Sequence, residues 1–167
     1  MLVLAAVVLT RDTPDWRGNW VWPVPTWVES GVAHFAVISQ EWRSPDHLGV
    51  DILYRVGGQW TAPEDTPIIA AREGVVWSVD ETARGHSVVI DHGAPWATFY
   101  QHLSSVAVAK GQQVAAGDTL GIMGSDPTDA AHVRHLHFAT WYKGAGDVAS
   151  VDPARAMVSW RRVTWTG

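Results

Sequence analysis

From Ile68 onward, apolar residues in this 167-residue chain come only in short runs broken by turn signals. Pro67-Ile-Ile-Ala-Ala71, Gly74-Val-Val-Trp-Ser-Val79, Ser87-Val-Val-Ile-Asp91 and Trp96-Ala-Thr-Phe-Tyr100 are mostly rich in β-branched or aromatic residues. Gly, Asp or Pro bounds each of them, which is the pattern of strands. Between Gly111 and Gly124, glycines sit where very short strands would need tight turns. His135-Leu-His-Phe-Ala-Thr-Trp141 reads as one more strand. The only expected helix is short, over Pro153–Ser159, with Asp152 placed to cap it and Pro153 suited to its first turn. A mostly β fold of compact antiparallel sheets, with few or no long helices, follows.

Before these runs, residues 11–30 carry Pro14, Pro23 and Pro25 together with Trp16, Trp20, Trp22 and Trp27. The prolines preclude a long helix there, so residues 1–30 are expected to form an extended N-terminal segment and residues 31–167 the main domain. Met1–Leu9 is apolar but too short to span a bilayer, which takes about 20 residues. It reads equally as a strand, a loosely held end, or the remnant of an export signal or anchor. Net charge is −5 and no Lys/Arg cluster occurs, which argues against nucleic acid or an anionic membrane as the main partner. There is no cysteine, so disulfide scaffolds, thiolate metal sites and Cys nucleophiles are excluded.

The chemistry-bearing residues are histidines. His47-Leu-Gly-Val-Asp51 sets an imidazole and a carboxylate four residues apart, with Gly49 favouring a turn into a strand. Both are zinc-ligand types, although a His near an Asp is common on any surface. His135 and His137 are alternate residues of a strand, with Cα atoms roughly 6.5 Å apart on one face. One ring can then ligate a metal while the other stands beside its open position, or both can face solvent. Tyr100 and His102, separated by Gln101, are likewise expected to share a face opposite Leu103.

Taken in order, His47…Asp51, Tyr100-Gln-His102-Leu103 and His135-Leu-His137 resemble lysostaphin-type (LytM-like) zinc endopeptidases. The likeness runs from about Gln40 to Met157 and includes Glu73-Gly-Val-Val, Gly85-His-Ser-Val-Val-Ile-Asp-His92, Gly111-Gln-Gln-Val-Ala-Ala-Gly117, Gly124-Ser125 and Asp152-Pro153. The resemblance implies antiparallel sheets of the duplicated hybrid-motif, barrel-sandwich type, with a Gly111–Gly124 hairpin similar to that of lipoyl carriers. It implies Zn2+ held by His47, Asp51 and His137, and catalysis by His102 and His135. Zinc with open positions lowers the pKa of bound water toward about 7 and polarises a carbonyl. The implied activity is hydrolysis of peptide cross-links in bacterial peptidoglycan, outside the cytoplasm or as a phage-borne lysin. Tyr100, Trp60 and Trp96 are candidate substrate contacts, the tryptophans through stacking on sugar rings. The polar segment 54–65, with Gly57-Gly58, is expected to be a surface loop beside the substrate groove. Trp42 and Arg43, just upstream of His47, are candidates for a transition-state contact. Two other readings compete. One is a catalytically silent wall-binding or activator domain of the same fold, against which the complete set of five residues speaks. The other is a phosphocarrier of the sugar phosphotransferase type, which would not need Asp51.

Overall fold

The computed structural model describes residues 16, 18–144 and 147–167. Met1–Leu9 and Pro14 lie outside the described residues. The strands are β1 (Thr26–Glu29), β2 (Val32–His34), β3 (Ala36–Gln40), β4 (Val50–Val56), β5 (Gln59–Thr61), β6 (Pro67–Ile69), β7 (Gly74–Thr82), β8 (Gly85–Asp91), β9 (Trp96–Val106), β10 (Gln113–Val114), β11 (Thr119–Met123), β12 (Leu136–Lys143), β13 (Val148–Val151) and β14 (Thr164–Thr166). A single short helix, α1 (Ala154–Met157), precedes the last strand. Asp152 accepts the Ala154 N–H at 2.9 Å, so its side chain does cap this turn. No helix among the described residues is long and apolar enough to cross a membrane.

The main sheet runs β10-β7-β8-β9-β12-β4-β3, and all of these neighbours pair antiparallel. β11 pairs with β9 and β6. The expected Gly111–Gly124 hairpin is not one: β10 pairs with β7, so the two short strands of this segment never meet. Segment 54–65 also differs from expectation. It completes β4 and returns as β5 through a two-residue turn at Gly57 and Gly58. Their φ angles of 57° and 83° are what a type I′ hairpin requires at both central positions. Tyr54, at the start of that segment, is fully buried and donates its hydroxyl to the Pro25 carbonyl at 2.8 Å.

Tryptophans build one end of the core. Trp16 stacks on Trp96 with ring centres 4.1 Å apart, and Trp20 stacks on Trp160 at 4.8 Å. The Trp22 indole N–H donates to the Met157 carbonyl at 2.8 Å, and Val21 bridges to Arg161 in parallel register. These contacts bind residues 18–24 and the segment after α1 to the same face of the sheet. Each aromatic pair is worth about 1 kcal/mol beyond the area it buries.

A hydrogen-bonded chain crosses this region: Glu73 O, His92, Thr98 Oγ1, Tyr100 Oη and the Ala71 N–H, with links of 2.7–2.9 Å. His92 donates Nδ1–H to the Glu73 carbonyl. Burial pushes its pKa down to about 4. Unfolded chains bind this proton near pH 6.5 and the native state does not, so protonation favours unfolding. Stability attributable to His92 is therefore complete above pH 6.5 and falls, by about 3 kcal/mol in all, as pH drops to 4. Urea titrations should show a larger loss between pH 7 and 4 in the parent than in His92→Gln. Equal losses would show that His92 does not carry the effect.

Candidate metal centre

His47 sits in a turn closed by reciprocal 2.7 Å backbone bonds between Arg43 and His47. Its Nδ1–H donates to the Glu41 carbonyl at 2.9 Å, which leaves the Nε2 lone pair facing inward. Nε2 lies 3.1 Å from Asp51 Oδ1 and 3.1 Å from His137 Nδ1, and that nitrogen lies 3.0 Å from the same carboxylate oxygen. The three donors thus form a nearly equilateral triangle. Ligands bound to a tetrahedral zinc at 2.0–2.2 Å stand about 3.3–3.6 Å apart, so a shift of a few tenths of an ångström fits this triangle to the ion. Two imidazole nitrogens and an anionic oxygen facing one another repel unless a proton or cation lies between them. The donor set fits a divalent metal, and it is the only such group found among the described residues.

The triangle is a product of register. Asp51 of β4, His137 of β12 and Gln101 of β9 form one rung across three strands. The residues flanking His137, Leu136 and Phe138, are fully buried in the core. Gly49 completes the arrangement. A Cβ at this position would lie 2.6 Å from His137 Nε2 and 2.8 Å from the Phe138 carbonyl oxygen. Any side chain must displace the ring or separate the strands. Gly49→Ala should weaken metal binding at this triangle by at least about tenfold, comparable with the loss of a group that orients a ligand. Chelator competition measures it, and parent affinity in the variant would show that the ring has room.

His102 and His135 stand beside the triangle, with ring centres 4.7 Å apart. His102 is 6.0 Å from the His137 ring, and His135 Nε2 is 4.0 Å from Asp51 Oδ2. Each donates Nδ1–H to a backbone carbonyl, His102 to Arg84 at 2.9 Å and His135 to Val133 at 2.8 Å. Both tautomers are thereby set with Nε2 as the proton acceptor. Burial pulls the His102 pKa below its usual value; the His135 and His137 rings pull the same way, against the bond to Arg84. For Asp51, burial raises the pKa, but the hydrogen bond to His137 and the charges of His135, His137 and His47 outweigh it. Its carboxyl stays below the usual range.

The expected parity of β9 does not hold. Tyr100 and Leu103 are both buried in the core, and His102 alone reaches the site. His102 has φ 68°, and the β8–β9 register shifts at this point. This is a bulge that turns the imidazole to the opposite face. Tyr100 is accordingly no substrate contact: it is fully buried, and the Ala71 N–H and Thr98 hydroxyl occupy its oxygen. Trp96 is not one either, being 2% exposed beneath Trp16. Trp60 is 44% exposed, but Arg55 covers its ring, and Arg55 is its partner four residues along β4 from Asp51. That places Trp60 about 13 Å along the strand from the triangle. An aromatic surface that does border the site is Phe99 stacked on Trp141, ring centres 5.3 Å apart, with Phe99 6.3 Å from the His137 ring. Strand parity could have found this pair, since Trp141 lies four residues beyond His137. The Trp42 indole N–H donates to Ser150 Oγ at 3.0 Å, and Arg43 is exposed beside Asp46.

Residues 46–153 match the model of peptidase family M23. The chain belongs to this family. Among curated relatives, the lipoprotein YgeR of Escherichia coli is 33% identical over 153 residues, covering 90% of this chain and 52% of YgeR. The peptidoglycan DD-endopeptidase ShyA of Vibrio cholerae is 35% identical over 116 residues, 64% of this chain and 26% of ShyA. The chain therefore spans about half of one and a quarter of the other. Among solved structures, LytM of Ruminococcus gnavus superposes with TM-score 0.69 at 23% identity, covering 89% of this chain and 63% of that one. A chain of the SpoIIQ–SpoIIIAH pore-forming complex gives 0.64 at 21% identity, covering 83% and 90%. The lysostaphin-type resemblance and the antiparallel β fold are thus borne out.

Proposed function

We propose that this M23 member is a zinc-dependent endopeptidase that hydrolyses peptide cross-links of bacterial peptidoglycan. The observation that carries the reading is the triangle of His47 Nε2, Asp51 Oδ1 and His137 Nδ1, with two oriented imidazoles beside it. Zinc held there would polarise the scissile carbonyl and acidify water. His102 and His135 each present an unprotonated Nε2. One accepts a proton as water attacks the carbonyl carbon, and the same pair returns a proton to the leaving nitrogen as the C–N bond breaks. The protonated imidazole also stabilises the developing oxyanion. Phe99 and Trp141 form an apolar wall for the substrate next to His137. This substrate places the protein outside the cytoplasm, in the envelope or the wall, or in a phage lysin.

The fold alone, shared at 21% identity with a chain of a pore-forming complex, is equally compatible with a second reading, a wall-binding or activator domain without catalysis. Purified peptidoglycan incubated with the zinc-loaded protein separates the two. The expected result is release of soluble cross-bridge fragments seen by chromatography, loss of release with chelator and recovery on adding zinc. A protein that holds one zinc per chain yet releases nothing belongs to the second reading.

A further inference from the structure

The three vertices of the triangle are not held alike. Asp51 and His137 stand on β4 and β12, where paired strands on both sides fix the backbone. His47 stands on no strand. It belongs to segment 41–48, between the end of β3 at Gln40 and the start of β4 at Val50. In that segment Trp42 and His47 are half-buried and the other residues are exposed. A segment with so little buried surface opens easily by itself, yet a metal ligand must be held close to its productive position.

The polar contacts show what holds it. Arg43 and His47 exchange two 2.7 Å backbone bonds, and the His47 Nδ1–H donates to the Glu41 carbonyl at 2.9 Å, all inside the segment. Among the described residues, and setting His47 Nε2 aside, the hydrogen bonds of 41–48 that leave the segment end on one atom, Ser150 Oγ. The Trp42 indole N–H donates to it at 3.0 Å, and it donates its own proton to the Leu48 carbonyl at 2.8 Å. Trp42 precedes His47 and Leu48 directly follows it, so a single hydroxyl spans the turn that carries the imidazole.

Few groups can do this. An indole N–H only donates and a carbonyl only accepts, so the atom between them must do both, as a hydroxyl does. Ser150 reaches its place on β13, which pairs with β12 from Thr140↔Val151 to Lys143↔Val148 and sets Ser150 opposite Trp141. The Thr140 hydroxyl donates to the Val151 carbonyl at 2.6 Å and secures that register. β12 therefore carries His137 on one rung and, at Trp141, the partner of the His47 anchor on another.

We infer that Ser150 is a positioning residue for the metal ligand His47, acting through Trp42 and Leu48 rather than as a ligand. The inference rests on the reading of the triangle as a zinc site. Without the hydroxyl, the turn keeps its internal bonds but is free to swing away from Asp51 and His137. The effect is lost ion affinity, not a lost fold.

The test compares the full chain with Ser150→Ala, Ser150→Thr and Trp42→Phe. Zinc affinity is read by chelator competition. Ser150→Ala should bind zinc at least about tenfold more weakly, the scale for removing a group that orients a ligand. Ser150→Thr keeps donor and acceptor, suits a strand, and should bind as the parent does. Trp42→Phe removes one of the two bonds and should lie between them, about threefold to fivefold weaker than the parent. Metal-free Ser150→Ala should melt within about 4 °C of the parent, whereas a merely structural role would lower stability and affinity together. Hydrogen exchange on the metal-free protein reads the turn without the ion. The Arg43 and His47 amides should exchange at least about tenfold faster in Ser150→Ala, with β9 and β12 unchanged. Parent zinc affinity in Ser150→Ala overturns the inference and leaves the zinc reading intact. So does unchanged exchange at Arg43 and His47, or a Ser150→Thr as weak as the alanine variant. If no form binds zinc, the zinc reading fails. Exchange then decides the positioning of His47, with faster exchange in Ser150→Ala supporting it and unchanged exchange overturning it.

Discussion

His47→Ala, Asp51→Ala and His137→Ala should each lose zinc and hydrolysis together. Each removes one vertex of a triangle whose sides are only 3.0–3.1 Å, and two protein ligands do not hold zinc as three do. The largest structural consequence is expected at Asp51. It is 9% exposed among three imidazoles and supplies the only negative charge of the set. The measurement combines elemental analysis, fragment release from peptidoglycan and thermal melting with added zinc. Zinc that binds only the native state raises the parent melting temperature by mass action, and the three variants should show no such rise. They should remain folded, because the strands around them are held by Ile52, Leu136 and Phe138 in the core. If His137→Ala kept its zinc while His135→Ala lost it, the roles within the H-x-H pair would be exchanged.

His102→Ala and His135→Ala should retain one zinc per chain and lose rate by roughly 10²–10⁴, the usual contribution of a positioned acid–base group. Neither ring belongs to the triangle, and each is oriented by a backbone carbonyl that survives the substitution. The double variant should lose less than the product of the single losses, because the rings lie 4.7 Å apart and serve one proton. Parent rates in both single variants would refute the mechanism even with zinc bound.

The strands and the short helix were largely legible because their signals are local. β-branched runs between Gly, Asp and Pro mark β6 to β9 and β12, and Asp152-Pro153 marks α1. Where a feature depends on what a segment pairs with, the local signal was misleading. Gly111–Gly124 has the glycines of a hairpin, but β10 finds its partner in β7. Likewise Gly57-Gly58 reads as a loop until β5 is seen returning along β4. The bulge at His102 depends on the β8 register, so alternation along β9 put Tyr100 on the wrong face. The Trp96 indole seemed available because nothing local shows that Trp16, eighty residues earlier, covers it.

By itself, the sequence determined the residue types of the candidate site and their order. The i, i+2 spacing of His135 and His137 is a property of one strand, and the absence of cysteine limits the ligands to imidazole and carboxylate. Only the tertiary structure decided that His137 Nδ1 and Asp51 share a rung, because this needs β4 beside β12 with Gly49 allowing the approach. It also decided which aromatic pair borders the site, Phe99 stacked on Trp141 beside the His137 ring. Chain-local chemistry can be read from spacing. Distances of 3 Å between residues 86 positions apart arise only when strand pairing and core packing set the register.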